Sequence, residues 1–203
     1  MNQTTEPAAS AEPTCSPFFV FDVESIGLHG QAFAVAGGVY IDGAAQYEFS
    51  YSCPQEEALG TAQDRAWVKA NVPVLEITNR LPIGIRDAFW HEWEKAKKRY
   101  PGITMAAECL WPVEARFMAS CVDDNPEYFG FNGPYPFHEI ASIMLAAGMD
   151  PMATYDREPS EMPKHNPLAD ARQSARLLTM ALRMLENAEA SRPAAHNPEN
   201  PKP

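Results

Sequence analysis

Two carboxylates stand two residues apart at the end of an apolar run, Phe18-Phe19-Val20-Phe21-Asp22-Val23-Glu24-Ser25. In an extended strand, residues i and i+2 project from the same face. Asp22 and Glu24 are therefore expected side by side on a buried strand. Neighbouring acids repel one another and are costly to take out of water. A hard divalent cation such as Mg²⁺ or Mn²⁺ makes that arrangement favourable. A second acidic position lies far along the chain, where His165 and Asp170 bracket the start of the last amphipathic segment. A carboxylate in the first turn of a helix is favoured by the helix dipole, and imidazole exchanges protons near neutral pH. If the two regions meet, three carboxylates and a histidine surround one cavity. Such a set suits metal-dependent phosphodiester hydrolysis, in which two cations about 4 Å apart stabilise the attacking and leaving oxygens and a histidine takes the proton of the attacking water.

The elements that must position these groups are readable in outline. Strands are expected at Phe18–Val23, Phe33–Ile41 and Gln46–Ser52, with Asp42-Gly43 as a hairpin turn. Phe89, Trp93, Ala96 and Tyr100 fall at helical spacing, and Pro101-Gly102 ends that helix. Ile103–Ala107 reads as a buried strand, Val113–Val122 as a helix and Tyr128–Phe131 as a further strand. Ile140, Ile143, Met144 and Ala147 mark a helix closed by Gly148. The last helix carries Leu168, Ala171, Ala175, Leu178, Leu182 and Leu185 on one face, with Asn166 as cap and Pro167 at its first position. Three leading strands followed by alternating helices and strands predict a mixed α/β sheet flanked by helices.

The chain has 203 residues and a formal charge of −11. It is long enough for one well-buried domain, and its charge argues against a broad cationic face gripping duplex nucleic acid. A site that holds a few nucleotides through metal ions remains compatible with it. Residues 1–16 and 187–203 are polar and rich in Pro and Ala and read as disordered arms, leaving 17–186 as the folded unit. The opening residues have no apolar core of a signal peptide and no apolar run is long enough to span a bilayer, so a cytoplasmic protein with no membrane partner is expected. Cys15, Cys53, Cys109 and Cys121 have no CxxC spacing, which leaves reduced thiols as the default.

Phe21-Asp22-Val23-Glu24-Ser25-Ile26-Gly27-Leu28 resembles the first motif of the DEDDh 3′–5′ exonucleases, a DxE followed by Thr/Ser-x-Gly-Leu. His165-Asn166-Pro167-Leu168-Ala169-Asp170-Ala171 resembles their third motif, and the order and separation of the two also match. The resemblance implies an RNase H-like fold, with three antiparallel leading strands and then parallel ones. It implies hydrolysis of single-stranded DNA or RNA from the 3′ end to nucleoside 5′-monophosphates with two Mg²⁺ or Mn²⁺ ions. In that scheme Asp22, Glu24 and Asp170 hold one ion, Asp22 bridges to a second, and His165 is the general base. Ser25, Ile26, Gly27 and Leu28 form the substrate-binding stretch, with Leu28 at the position that wedges against the terminal base. The middle motif, normally an Asp opening a helix, is best matched by Val113-Glu114-Ala115-Arg116-Phe117-Met118, which puts Glu114 in the role of Asp. Glu108, at the end of the preceding strand, is the rival.

Trp111, Phe131 and Tyr135 flank the expected cleft and are candidates for base stacking, with rim or core packing as the plainer reading. Trp90 and Trp93 with Lys95, Lys97, Lys98 and Arg99 form a basic aromatic stretch that reads chiefly as a solvated helix face. His29 and His138 lack acidic partners at useful spacing and read as structural. The competing functional reading is a catalytically weak or inactive RNase H-like module that binds a nucleic-acid end or a protein partner. A further rival is an endonuclease of the wider RNase H-like group. The sequence is silent on oligomeric state, and a homodimer is compatible with it.

Overall fold

The apolar run that opens the chain forms the central strand of a five-stranded sheet. The computed structural model describes residues 16–191. Strand β1 (Phe18–Ser25) pairs antiparallel with β2 (Ala32–Ile41), which pairs antiparallel with β3 (Ala44–Ser52). On its other side β1 pairs parallel with β4 (Thr104–Ala107), and β4 with β5 (Phe137–Glu139), giving the order β3-β2-β1-β4-β5. Helices α1 (Ala62–Asn71) and α2 (Pro82–Arg99) lie between β3 and β4. Helices α3 (Val113–Asp124) and α4 (Pro126–Phe129) precede β5, and α5 (Ile140–Ala146) and α6 (Pro167–Ala190) follow it. Asp42 and Gly43 both have positive φ, 53° and 79°, the geometry of the tight hairpin turn expected between β2 and β3.

Alternation along β1 divides its side chains between two layers. Phe19, Phe21 and Val23 enter an aromatic core with α2 and α3, in which Phe21 and Phe89 have ring centroids 4.8 Å apart and Phe89 and Phe117 5.0 Å. Val20 packs on the opposite layer with Ala175, Leu177 and Leu178 of α6. Asp22 and Glu24 share that second face by their parity. Their neighbours on β2 are small. Ala36 lies opposite Asp22 and Gly38 opposite Val20. Helix α6 answers with buried Ala171, Ala175 and Ala181, and small residues on both sides let the helix lie close to the sheet. The mixed sheet between helical layers is therefore the expected RNase H-like architecture.

Three local expectations are corrected. Tyr128–Phe131 is not a strand: Pro126–Phe129 is a short helix, capped by the Asn125 side chain accepting from the Tyr128 N–H, and Phe137–Glu139 supplies the fifth strand. A cap followed by proline at the first helical position outweighs the β-preference of two aromatics. Trp90 and Trp93 are buried in the core and present no aromatic face to solvent. Helix α6 continues to Ala190, beyond the expected boundary at residue 186. The expected arms otherwise lie outside the described residues. Among those described, no helix is long and apolar enough to cross a membrane.

Candidate active site

The turn into α6 builds one wall of the site. The Asn166 side chain accepts hydrogen bonds from the N–H groups of Leu168 (3.1 Å) and Ala169 (3.3 Å), and Pro167 occupies the first helical position, as the sequence predicts. His165, just before the cap, has φ of 60°. Its backbone N–H donates to Asp170 Oδ2 at 3.0 Å, while Arg157 Nη1 donates to Asp170 Oδ1 at 2.5 Å and to the Glu161 carbonyl at 2.8 Å. Both oxygens of Asp170 are thus held in place. Opposite them, Glu24 Oε1 lies 4.0 Å from His165 Nδ1. One potential ligand atom each from Glu24, His165 and Asp170 fit within 4.8 Å of one another. The first strand and the last helix therefore meet at one cleft, which has a volume of about 590 Å³.

Glu114 enters the same cleft from the first turn of α3 and is 6% exposed. Pairing between β1 and β4 stops at Val20. Beyond that point the backbone N–H groups of Val23 and of Glu114 itself favour the charged form of the Glu114 carboxylate. Glu114 is in this way set against the strand between Asp22 and Glu24. Glu108 also lines the cleft and accepts a hydrogen bond from the Ser174 hydroxyl at 2.8 Å. The two rivals for the middle position are both present, and Glu114 ranks ahead of Glu108 among the charges acting on Asp22.

Crowding shifts the protonation of these acids in one direction. Burial pushes Asp22 well above the ordinary carboxylate range, and Glu114, Asp170, Glu24 and Glu108 push it further. Burial, then Asp170 and Glu114, raise Glu24 to about 8. Glu114 also rises to about 8, chiefly through burial, against the opposing pull of the two backbone N–H groups. These acids retain protons because too few cations face them, and Arg157 is already engaged with Asp170. Clustered carboxylate oxygens are the donor set of a hard divalent cation. The residues present therefore fit Mg²⁺ or Mn²⁺.

The loop after β1 forms the rim. The Ser25 hydroxyl donates to the Gly27 carbonyl at 2.7 Å. Gly27 has φ of 70°, and a Cβ there would lie 2.5 Å from Asp64 Cγ, so only glycine suits the position. Leu28 is exposed at the cleft mouth. Ile26, expected in the substrate-binding stretch, instead has its side chain fully buried in the core, while Ser25 and Leu28 line the cleft. Trp111 is an exposed cleft residue, whereas Phe131 and Tyr135 are exposed outside it. His138 packs edge-on against Phe18, and His29 lies on an adjoining cavity. Sequence reasoning missed Arg157, and it missed Trp67 on α1, whose ring meets His165 edge-on at 5.2 Å. The Thr61 cap with Asp64 three residues later was the available signal for α1. Its apolar periodicity is absent, since Val68 is its one buried residue.

A mixed sheet whose central strand and closing helix bring their acids to one cleft defines a class by its architecture, the RNase H-like fold. Comparison with solved structures supports that fold. Pop2p of S. pombe, in a Mg²⁺- and Mn²⁺-bound form, superposes with a TM-score of 0.57 at 10% identity, covering 81% of this chain and 82% of that one. Exonuclease I from Methylocaldum szegediense superposes with a TM-score of 0.55 at 14% identity, covering 87% of this chain and 42% of that one, so this chain spans less than half its length. No family model matches the sequence, and no curated protein matches it.

Proposed function

We propose that the protein is a metal-dependent 3′–5′ exonuclease that hydrolyses single-stranded DNA or RNA ends to nucleoside 5′-monophosphates. The observation that carries this reading is the convergence of Asp22, Glu24, Glu114 and Asp170 on one cleft, with His165 at its edge. Asp22, Glu24 and Asp170 would hold one divalent cation, and Asp22 with Glu114 a second. Bound there, the pair would stabilise charge on the attacking and leaving oxygens of the phosphodiester. His165 has a side chain 43% exposed beside Glu24, so water can reach the imidazole, and it accepts the proton of the attacking water. Its backbone N–H fixes the Asp170 rotamer at the same time. Leu28 and Trp111, apolar and exposed at the mouth, offer surfaces for a terminal base.

The test is a 5′-labelled single-stranded oligomer incubated with Mg²⁺ or Mn²⁺. A ladder that shortens from the 3′ end, with release of nucleoside 5′-monophosphates and silence in chelator, is expected. Asp22→Asn removes a charge at nearly constant volume. It should lower turnover by at least about 10²-fold, the scale set by loss of a group that acts on the reacting oxygens, while the melting curve stays cooperative. Unaltered turnover by that variant would remove Asp22 from the site.

A further inference from the structure

A second cavity, about 340 Å³, adjoins the catalytic cleft, with Ser25 and Val113 common to both walls. Its chemistry is the reverse of its neighbour's. None of its lining residues is Asp or Glu, whereas six acids line the cleft, in a chain whose formal charge is −11. Arg86, Arg116 and His29 all line it. Arg86 is committed, with Nε and Nη2 bonded to the Asp124 carboxylate at 2.6 and 2.9 Å. Arg116 is exposed, and its side chain makes no hydrogen bond or ion pair to protein among the described residues. Gln31 Oε1 accepts a hydrogen bond from the Leu59 N–H at 3.1 Å, which leaves the side-chain amide N–H groups of Gln31 available.

The first turn of α3 explains the division. Residues two apart on a helix point to different sides. Glu114 therefore faces the cleft and Arg116 the cavity, and one helix end forms the partition between them. We infer that this cavity seats a backbone phosphate of the substrate strand, the one on the 5′ side of the scissile linkage, with Arg116 as its principal partner. The inference rests on the nuclease reading and extends it to how the strand is held. A strand whose terminal phosphodiester sits among the cleft carboxylates must carry its next phosphate out of their field. The acid-free cavity across Ser25 and Val113 is the adjoining space that permits this. A guanidinium matches phosphate oxygens in a bidentate fork, and such charge-assisted bonds are among the stronger ones. The small pocket at Arg157 and Lys164 is less suited, since Glu108 lines it and Arg157 is held by Asp170.

Two substrates separate this inference from the reading beneath it. The p-nitrophenyl ester of thymidine 5′-monophosphate has a scissile phosphate and nothing 5′ of it. A trinucleotide can be made with its upstream linkage either as an ordinary phosphodiester or as a neutral methylphosphonate. The wild type should hydrolyse the ester, and its kcat/KM on the trinucleotide should fall about tenfold when the upstream linkage is neutral, the scale of one charge-assisted hydrogen bond. Arg116→Gln, an exposed substitution expected to leave the fold intact, should turn over the ester as the wild type does and lose the distinction between the two trinucleotides. An Arg116→Gln enzyme that still discriminates tenfold, or a wild type indifferent to the methylphosphonate, overturns the phosphate seat while leaving the nuclease reading standing. A wild type inactive on the ester and on both trinucleotides overturns both.

Discussion

Asp22 faces four other carboxylates, and the cost of that crowding is written into the pH dependence of the metal-free protein. Glu24 and Glu114, raised from 4.5 to about 8, keep their protons in the folded state where an unfolded chain has lost them. The folded state therefore binds more protons between about pH 4.5 and pH 8, so its stability is greatest at the acidic end of that window and declines as pH rises through it. Thermal melts in chelator should accordingly show a midpoint that falls from pH 5 to pH 8. Glu24→Gln should flatten the slope, because an amide has no proton to lose, and a slope unchanged in that variant would refute the assignment of burial and repulsion to Glu24. Residues at this scale were legible where their geometry is local. The Asp22–Glu24 pair follows from strand parity, and His165 with Asp170 from one helix start. Arg157 was not legible, because nothing in Asp156-Arg157-Glu158 indicates that the chain folds back to place its guanidinium on Asp170. The burial of Ile26 was not legible because it lies just past the end of β1, where strand alternation no longer assigns a side chain to a face.

Elements follow the same logic one level up. The cap of α6 was readable as Asn166-Pro167, and it serves both the helix and the site, since the turn it fixes also carries His165 and Asp170. Asn166→Ala should cost about 1 kcal/mol of stability, the usual value of a lost side-chain cap, and should reduce turnover beyond what that loss explains. Denaturant midpoints and initial rates measured on the same preparation separate the two effects. Restored stability without restored activity in a variant with Asp or Ser at this position would show that the Asn166 geometry itself matters. Long amphipathic helices and the hairpin announce themselves by period and turn chemistry. Helix α1 did not, because it buries only Val68 and lies on the surface as a support for the cleft. The α4 region misled because Tyr128 and Phe129 favour strands in isolation, whereas Asn125-Pro126 decides locally for a helix.

At the scale of the molecule, the sequence carries no match to a family model while the sheet order and flanking helices superpose on two solved folds at 10% and 14% identity. The backbone architecture is shared where residue identity is not. The exonuclease activity proposed above requires a free strand end. A linear single strand should be degraded with Mg²⁺, whereas a circular one of the same composition should persist. Cutting of the circle would point to internal cleavage instead. The placement of Asp22 near the chain's beginning and Asp170 near its end has one more consequence. A cation shared between them would clasp the polypeptide on itself, closing a loop that contains nearly the whole domain, much as a crosslink does. Limited proteolysis at an exposed connection should then yield two fragments that stay joined in Mg²⁺ and drift apart once the ion is stripped away.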